Sequence, residues 1–237
     1  MAAVTVENVS MNEQDKMKAA AARKAIDYVP EGAIIGVGTG STANFFIDEL
    51  ARIKDRIEGA VASSQATADR LKAIGIQVFD LNGVGELPVY VDGCDEINHY
   101  LHMIKGGGGA LTREKIVAAV AREFVCICDA SKLVDVMGKF PLPVEVIPFG
   151  AGQVIKKFEA RGYKPVLRLD ADGKEVRTDE NNFVVDLHLE RIDHPQELAE
   201  DLINTVGVVE HGLFLNMVDK VIVGDPNGPR VMTNANK

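Results

Sequence analysis

The stretch Ala33–Phe46, AIIGVGTGSTANFF, decides the fold of this chain. Its first five residues form an apolar run that is too short for a surface helix, so they predict a fully buried strand. Helical periodicity begins at Thr42 and extends to Ile57. A strand therefore passes into a helix through a glycine-rich turn, which is typical of α/β proteins.

The alternation of strands and helices continues on both sides of this stretch. Upstream, residues 1–11 show no regular pattern, and Ser10 with Glu13 matches a capping box for a helix that ends near Tyr28. Downstream we predict strands at 61–63, 77–79, 89–92 and 124–128, and helices at 64–74 and about 111–123. Such alternation implies right-handed connections and a mostly parallel sheet. Residues 1–142 are thus predicted to form a doubly wound α/β domain.

The second half of the chain has a different organisation, which begins at Pro141 and Pro143. The predicted order is βαββαβ, the pattern of a ferredoxin-like α+β unit. Its elements are strands 144–147, 165–169, 183–189 and 208–213, and helices 151–161 and 195–204. We assign this smaller domain to 143–216. A last apolar strand at 221–223 predicts that 217–237 return to the first domain.

Composition restricts the classes of function. The 237 residues include 35 acidic and 26 basic side chains, a net charge of −9, which argues against nucleic acid as the main partner. No apolar run approaches the ~18 residues of a membrane span. Three cysteines make no disulfide framework, and the acidic N-terminal segment does not match a targeting sequence. We expect a cytoplasmic protein with no nucleic-acid or membrane partner.

The glycine-rich turn, Gly36–Thr42, is the first candidate site. Glycines allow close approach of a ligand, and the following helix N-terminus offers N–H groups and a positive dipole to an anion. Ser41 occupies the place where a dinucleotide motif has Gly or Ala, and no lysine follows Gly40 as in a Walker A loop. A small phosphate ester is favoured over an ordinary capped turn.

Two more loops follow predicted strands. Asp92-Gly93-Cys94-Asp95-Glu96 is suited to proton transfer, metal binding or sugar hydroxyls, or is a solvated acidic turn. The segment Lys105–Glu114 has four glycines between a lysine and a helix, so it forms an oxyanion cradle or a flexible linker. Glu114 in the first helical turn also suits the helix dipole. Asp129–Lys132 brings another lysine to the same sheet edge.

Metal and serine-nucleophile chemistry find little support. His99 and His102 lie near the acidic loop, but they form no H-E-x-x-H motif and fall in a predicted loop. We interpret all five histidines as surface or packed residues and predict no metal site. No G-x-S-x-G nucleophile elbow is present.

Five segments in series resemble type A ribose-5-phosphate isomerase. They are GVGTGSTAN (36–44), VDGCDEIN (91–98), KGGGGALTREK (105–115), DASK (129–132) and GKFPLPVEVIP (138–148). The resemblance extends from about Met17 to the C-terminus. It implies a Rossmann-like domain with a smaller ferredoxin-like one, a homodimer or homotetramer, and no metal or organic cofactor.

The resemblance also implies a role for each site residue. Thr39, Gly40, Ser41 and Thr42 correspond to the substrate loop, with Ser41 and Thr42 toward the phosphate and Lys18 assisting. Asp92 and Asp95, with Gly93 and Cys94 between them, correspond to an acidic pair that contacts the sugar. Lys105, Gly106, Gly107 and Gly108 lie beside the reacting carbons, Glu114 matches the general base, and Lys132 matches a further substrate-binding lysine. At Cys94 family members generally have alanine, so we hypothesise that it leaves catalysis intact but exposes the site to thiol reagents.

The implied reaction interconverts D-ribose 5-phosphate and D-ribulose 5-phosphate in the pentose phosphate pathway. One carboxylate moves a proton between C2 and C1 through a cis-enediol(ate), preorganised donors hold the oxyanion, and Asp92 is assigned the proton shuttle between O1 and O2. Two alternatives stay open: a sugar-phosphate-binding regulator, which would need a DNA-binding module, and a coenzyme A transferase-like enzyme. Both predict that phosphopentose turnover is absent.

Overall fold

The computed structural model describes residues 11–235 and 237. In that part of the chain the α-helices are α1 (Glu13–Ala25), α2 (Ser41–Leu50), α3 (Gln65–Ala73), α4 (Leu111–Val120), α5 (Ala151–Ala160) and α6 (Pro195–Ile203). The strands are β1 (Ile34–Val37), β2 (Gly59–Ala62), β3 (Tyr90–Asp92), β4 (Glu96–Ile97), β5 (Met103–Ile104), β6 (Phe124–Asp129), β7 (Leu142–Val146), β8 (Pro165–Leu167), β9 (Phe183–Leu187), β10 (Val208–His211), β11 (Leu213–Phe214), β12 (Lys220–Asp225) and β13 (Gly228–Thr233).

The largest sheet among the described residues has six strands in the order β13-β12-β6-β3-β1-β2. All of its pairs are parallel except β12–β13 at one edge. The chain goes from β1 outward to β2, and then crosses back to β3 on the other side of β1. Such a reversal leaves a crevice at the carboxyl ends of the strands, where open α/β sheets bind ligands.

Alternation along the strands separates two apolar faces. Ile35 and Val37 of β1 pack with α1 and α2, while Tyr90 of β3 and Phe124 of β6 pack on the opposite face with Val117 of α4. Successive side chains of a strand point to opposite faces. Asp92, two residues after Tyr90, therefore points to the face that α4 covers.

The smaller sheet has the order β10-β7-β9-β8 with antiparallel pairing throughout. Helices α5 and α6 connect its strands in the sequence βαββαβ. This is the strand arrangement of a ferredoxin-like unit, with the first and third strands adjacent in the middle. The predicted fold class, a Rossmann-like mostly parallel sheet plus a smaller ferredoxin-like α+β unit, is confirmed. The domain boundaries at 142 and 216 stay a prediction.

Some element boundaries differ from those predicted. Helix α2 ends at Leu50, and a 3₁₀ turn at Lys54–Arg56 follows. Ile53 and Ile57 still pack against the core, although neither belongs to the helix. Residues 77–79 make a single bridge, Val78 to Ala60, instead of a strand. The predicted capping residue Ser10 lies outside the described residues. The N-cap of α1 is Asn12, whose side chain accepts from the Asp15 N–H. Strand β13 was not predicted.

A third, three-stranded sheet in the order β11-β5-β4 connects the two units. The predicted strand 208–213 is divided, because Leu213 and Phe214 leave the small sheet and pair with β5. At the junction a Cβ on Gly212 would lie 2.2 Å from the carbonyl oxygen of Lys105. The close approach lets the Lys105 N–H donate to the Gly212 carbonyl at 2.9 Å, so this junction fixes the start of the glycine-rich loop.

No helix in the described part of the chain has the length and apolar character needed to cross a membrane.

Candidate active site

The turn after β1 is built by close approach of backbone to a buried carboxylate. A Cβ on Gly38 would lie 1.9 Å from Oδ1 of Asp92, so only glycine fits there. The next residue, Thr39, donates its N–H to the same oxygen at 3.1 Å. Gly40 then has φ of +113° and precedes α2, whose N-terminus has no side-chain cap. These contacts place the first N–H groups of α2 at the carboxyl edge of the sheet, where they can bind an anion.

Hydroxyl groups support this turn from the adjacent strand. Oγ1 of Thr39 lies 2.8 Å from the hydroxyls of both Ser63 and Ser64, and Oγ1 of Thr67 donates to the Gly38 carbonyl at 2.8 Å. Sequence reasoning did not assign these three residues to the site. The sequence did contain a signal for two of them, because the consecutive residues Ser63 and Ser64 follow an apolar strand that is predicted to end at this sheet edge.

Helix α1 delivers a lysine to the same turn. Lys18 is buried, and its Nζ donates to Oγ of Ser41 at 3.2 Å. Asp15, one turn earlier on α1, lies 3.8 Å from that ammonium group. The positive charge is therefore held beside the first residue of α2.

Asp92 lies beneath the site and is fully buried. Its Oδ1 accepts from the N–H groups of Thr39 and Gly93, and its Oδ2 accepts from Nζ of Lys105 at 3.0 Å and from the hydroxyl of Tyr90. Four donors thus occupy this carboxylate. Tyr90 is a contributor that sequence reasoning missed; burial and the neighbouring Asp92 raise its pKa well above the usual range.

Lys105 and Glu114 form the centre of the site. Nζ of Lys105 lies 3.5 Å from Oε2 of Glu114, and that oxygen has no hydrogen-bond donor of its own. Burial, reinforced by the charge of Asp92, raises the pKa of Glu114 to about 8, with Lys105 acting in the opposite direction. Burial by itself would lower the pKa of Lys105, but the carboxylates of Asp92 and Glu114 outweigh it and raise that pKa. The pair therefore combines a permanent cation with a carboxyl that titrates near neutral pH.

The glycine loop contacts the second aspartate of the acidic loop. The N–H of Gly107 donates to Oδ2 of Asp95 at 2.8 Å. Burial raises the pKa of Asp95, and the Gly107 hydrogen bond and the charge of Lys105 oppose that rise. Unlike Asp92, Asp95 lines the open space of the site.

These groups surround a cavity of about 260 Å³. It brings together the predicted residues Thr39, Gly40, Ser41, Thr42, Gly93, Cys94, Asp95, Lys105, Gly106, Gly107, Gly108, Glu114 and Lys132. The other two predicted residues lie behind the wall, Asp92 under Lys105 and Lys18 behind Ser41. A larger cavity of about 600 Å³, between α3 and α4, contains none of the predicted residues.

Comparison with known proteins identifies the family. The family model for ribose 5-phosphate isomerase A (phosphoriboisomerase A) matches residues 59–228. A ribose-5-phosphate isomerase A of Bifidobacterium longum is 67% identical over 95% of this chain and 98% of its own length.

This chain belongs to the ribose 5-phosphate isomerase A family.

Solved structures agree with this assignment to the ribose 5-phosphate isomerases. The crystal structure of the Neisseria gonorrhoeae enzyme is 43% identical, with a TM-score of 0.89 over 95% of this chain and 100% of that one. A D-ribose-5-phosphate isomerase in complex with phospho-erythronic acid is 35% identical, with a TM-score of 0.90 over 94% and 100%. The family and isomerase activity predicted from sequence are confirmed. The chain is an aldose–ketose isomerase of the pentose phosphate pathway that interconverts ribose 5-phosphate and ribulose 5-phosphate.

Cys94 is half-buried in the isomerase cavity, against Cys126 and Cys128 of β6. The neighbouring Cys126 thiol and burial raise the pKa of Cys94 well above its usual range.

In the described part of the isomerase, the histidines and acidic side chains do not form a metal-binding cluster. Within residues 11–235 and 237, no group of three or more His, Cys, Asp or Glu side chains is arranged to hold a metal. His102 is buried and His99 is exposed, and the ring of Tyr100 is tilted against both, with centroid distances of 4.0 Å to His99 and 6.0 Å to His102. Both lie outside the cavity that contains Glu114.

Proposed function

We propose that Glu114 is the base that moves the proton between C2 and C1 of the sugar phosphate. The observation that supports this most directly is the position of Glu114 Oε2, which is buried at the wall of the cavity, accepts no hydrogen bond and is ion-paired with Nζ of Lys105 at 3.5 Å. A base works best when its pKa lies near the working pH. The pKa of about 8 gives Glu114 that property, whereas an exposed carboxylate would be too weak a base.

The developing oxyanion requires donors that are already in position. Lys105 carries its charge to this point, held by Asp92 and by the Gly93 carbonyl. Gly106, Gly107 and Gly108 of the glycine loop also line the cavity. Because Lys105 is buried and held in place, it stabilises an enediolate more than solvent would.

The second acid of the reaction is better assigned to Asp95 than to Asp92. Our first hypothesis gave Asp92 the shuttle between O1 and O2. Asp92 is fully buried and saturated by four donors, so it has no free oxygen to offer the sugar. We assign it the task of holding Lys105 and the Thr39 turn, and we assign the shuttle to Asp95, which lines the cavity.

The phosphate is assigned to the opposite end of the cavity. Ser41 and Thr42 begin α2, and Lys18 stands behind Ser41. Lys132, in the turn after β6, also lines the cavity. A solved relative binds phospho-erythronic acid, and we propose that this compound occupies the same cavity here. A phosphate bound away from Glu114 would fix the register of the reacting carbons.

The decisive experiment follows conversion of ribose 5-phosphate to ribulose 5-phosphate in buffer with excess EDTA. Glu114→Gln is expected to reduce kcat by about a thousandfold or more, the scale that removal of a general base can reach. Glu159→Gln, an exposed glutamate of α5, is the matched control and should leave kcat unchanged. A wild type that is inert in EDTA would contradict the metal-free reaction. A Glu114→Gln variant with near-normal kcat would transfer the role of base to Asp95.

Assembly and location complete the proposal. We propose a homodimer or homotetramer in the cytoplasm, with domains at 1–142 and 143–216 and a return of 217–237 to the first. Support for assembly comes from apolar side chains at one end of the small sheet, where Phe149 is 95% exposed and Val206 83% exposed. Ile147 and Ile203 extend this patch. Light scattering of the wild type and of Phe149→Ser tests it: a mass of one subunit for the wild type would exclude assembly.

A further inference from the structure

One arginine of the small sheet reaches the glycine loop of the site. Arg168 follows β8, and its Nη1 donates to the carbonyl oxygens of Gly106 at 3.1 Å and Gly107 at 3.0 Å. No sequence motif indicated Arg168. It is more than 60 positions away from the loop and belongs to the other unit of the chain.

Asp186 holds this arginine in a fixed orientation. Its two carboxylate oxygens accept from Nε at 2.8 Å and from Nη2 at 2.6 Å, and both side chains are only 17% exposed. Asp186 lies on β9, directly beside β8. The bidentate pair uses one edge of the guanidinium and leaves Nη1 for the two carbonyls. A lysine has no such planar fork and cannot make all four contacts.

Because Arg168 holds the carbonyl groups of Gly106 and Gly107, it also sets the direction of the N–H groups of Gly107 and Gly108. In a trans peptide the C=O and the next N–H point to opposite sides. With the Gly106 carbonyl on Arg168, the Gly107 N–H points away from Arg168 and reaches Asp95 at 2.8 Å. With the Gly107 carbonyl on Arg168, the Gly108 N–H likewise points away from it. Among the described residues no acceptor takes that Gly108 N–H.

We propose that Arg168, held by Asp186, is a positioning residue for the isomerisation, because it fixes the peptide planes that direct the Gly107 N–H to Asp95 and leave the Gly108 N–H available to the oxyanion. The inference rests on the proposed role of the glycine loop as a donor to the oxyanion. It assigns the small sheet a part in catalysis besides any part in assembly. Glycine peptides rotate easily. The Gly106 carbonyl also accepts from the Gly109 N–H at 2.9 Å, so the peptide between Gly107 and Gly108 is the one that depends most on Arg168.

The test compares Arg168→Ala, Arg168→Lys and Asp186→Asn with the wild type. For Arg168→Ala we expect kcat to fall by about 10- to 100-fold, the cost of displacing a catalytic group by about 1 Å. KM and inhibition by inorganic phosphate should change less than about twofold, since the phosphate end is built from other elements. Inhibition by phospho-erythronic acid should weaken, because the proposal places its carboxylate at the loop N–H groups.

Arg161→Ala is the matched control. Arg161 is on the same unit and pairs with Asp201 at 3.1 Å, but it does not contact the loop. This variant should keep the wild-type kcat. Should Arg168→Ala fail to fold, Arg168→Lys and Asp186→Asn, which retain most of the side-chain volume, provide the same comparison.

Two results would overturn the inference. One is an Arg168→Ala kcat within about twofold of wild type. The other is a parallel loss of phosphate affinity and thermal stability with kcat, which would indicate a purely structural contact. If Glu114→Gln keeps a near-normal kcat while Arg168→Ala loses activity, the proposed role of Glu114 fails instead, so the two failures are distinguishable.

Discussion

Nζ of Lys105 lies 3.5 Å from Oε2 of Glu114, so the fixed cation and the proposed base of this isomerase act on one another directly. The cation lowers the pKa of the base, while burial and Asp92 raise it. The net value of about 8 results from these opposed effects. The same lysine is proposed to stabilise the oxyanion. A change at Lys105 therefore alters both the pKa of Glu114 and the stabilisation of the oxyanion.

The pH dependence of the reaction follows from this pair. Glu114 must be ionised to remove a proton, so kcat/KM should rise with pH to a plateau above about 8 and fall as pH decreases below it. The measurement is kcat/KM for ribose 5-phosphate between pH 6 and 10. A flat profile from pH 6 to 9 would show that a group of low pKa is the base.

The same raised pKa has a stability counterpart. The ordinary pKa of 4.5 applies to the unfolded chain, so the folded state binds the Glu114 proton more tightly and loses stability as pH rises from about 4.5 to 8. Glu114→Gln removes this loss. The melting temperature of Glu114→Gln minus that of the wild type should therefore be larger at pH 8 than at pH 4.5.

Lys18 and Lys16 allow a matched test of phosphate binding on a single helix. Lys18 is buried beside Ser41, whereas Lys16 is exposed and pairs with Glu13 at 2.6 Å. Loss of one charge-assisted contact predicts that Lys18→Met raises KM by about tenfold with little change in kcat. Lys16→Met should leave both constants as they are. Equal effects from the two substitutions would show only a general dependence on net charge.

The first glycine turn offers a steric test. Alanine at position 38 would place Cβ 1.9 Å from Oδ1 of Asp92, so Gly38→Ala must displace the carboxylate that holds Lys105. We expect a stability loss of about 1–3 kcal/mol and a kcat at least about 100-fold lower. Gly83→Ala, where a Cβ meets nothing within 4 Å, is the control. Urea unfolding and steady-state kinetics on both variants decide the matter.

We predict that Cys94 makes the isomerase sensitive to thiol reagents and takes no part in catalysis. Cys126 and Cys128 are fully buried, so an alkylating reagent should modify Cys94 first in the folded protein. The raised pKa predicts slow inactivation near pH 7 that accelerates at higher pH. Cys94→Ala should keep kcat within about twofold and resist the reagent. Complete modification of Cys94, verified by mass spectrometry, with full activity would disprove the idea.

Sequence reasoning predicted residues that line a single cavity because they belong to local motifs at strand ends. The glycine turn, the acidic loop and the second glycine loop each follow a predicted strand, and a parallel sheet gathers such loops at one edge. Sequence reasoning could not tell which individual side chains of these loops are buried. Asp92 and Asp95 are three positions apart, and only their contacts separate the saturated carboxylate from the one that lines the cavity.

Contacts between distant segments were also unpredictable. Arg168 reaches the glycine loop through a pairing that has no local sequence pattern. Helix α2 was predicted too long because the periodicity of Ile53 and Ile57 reports which side chains face the core, and a 3₁₀ turn can satisfy that as well as a helix.

Strand β12 lies between β6 and β13, and α1 packs across β12 and β6. Every residue that lines the proposed substrate cavity precedes position 133, yet the sheet that supports these residues has an open edge at β6 until β12 is synthesised. On the ribosome, the catalytic half is therefore synthesised long before its sheet can close. An open strand edge invites pairing with other chains. The emerging chain thus has an interval of aggregation risk, and this interval ends only when the final strands have been made.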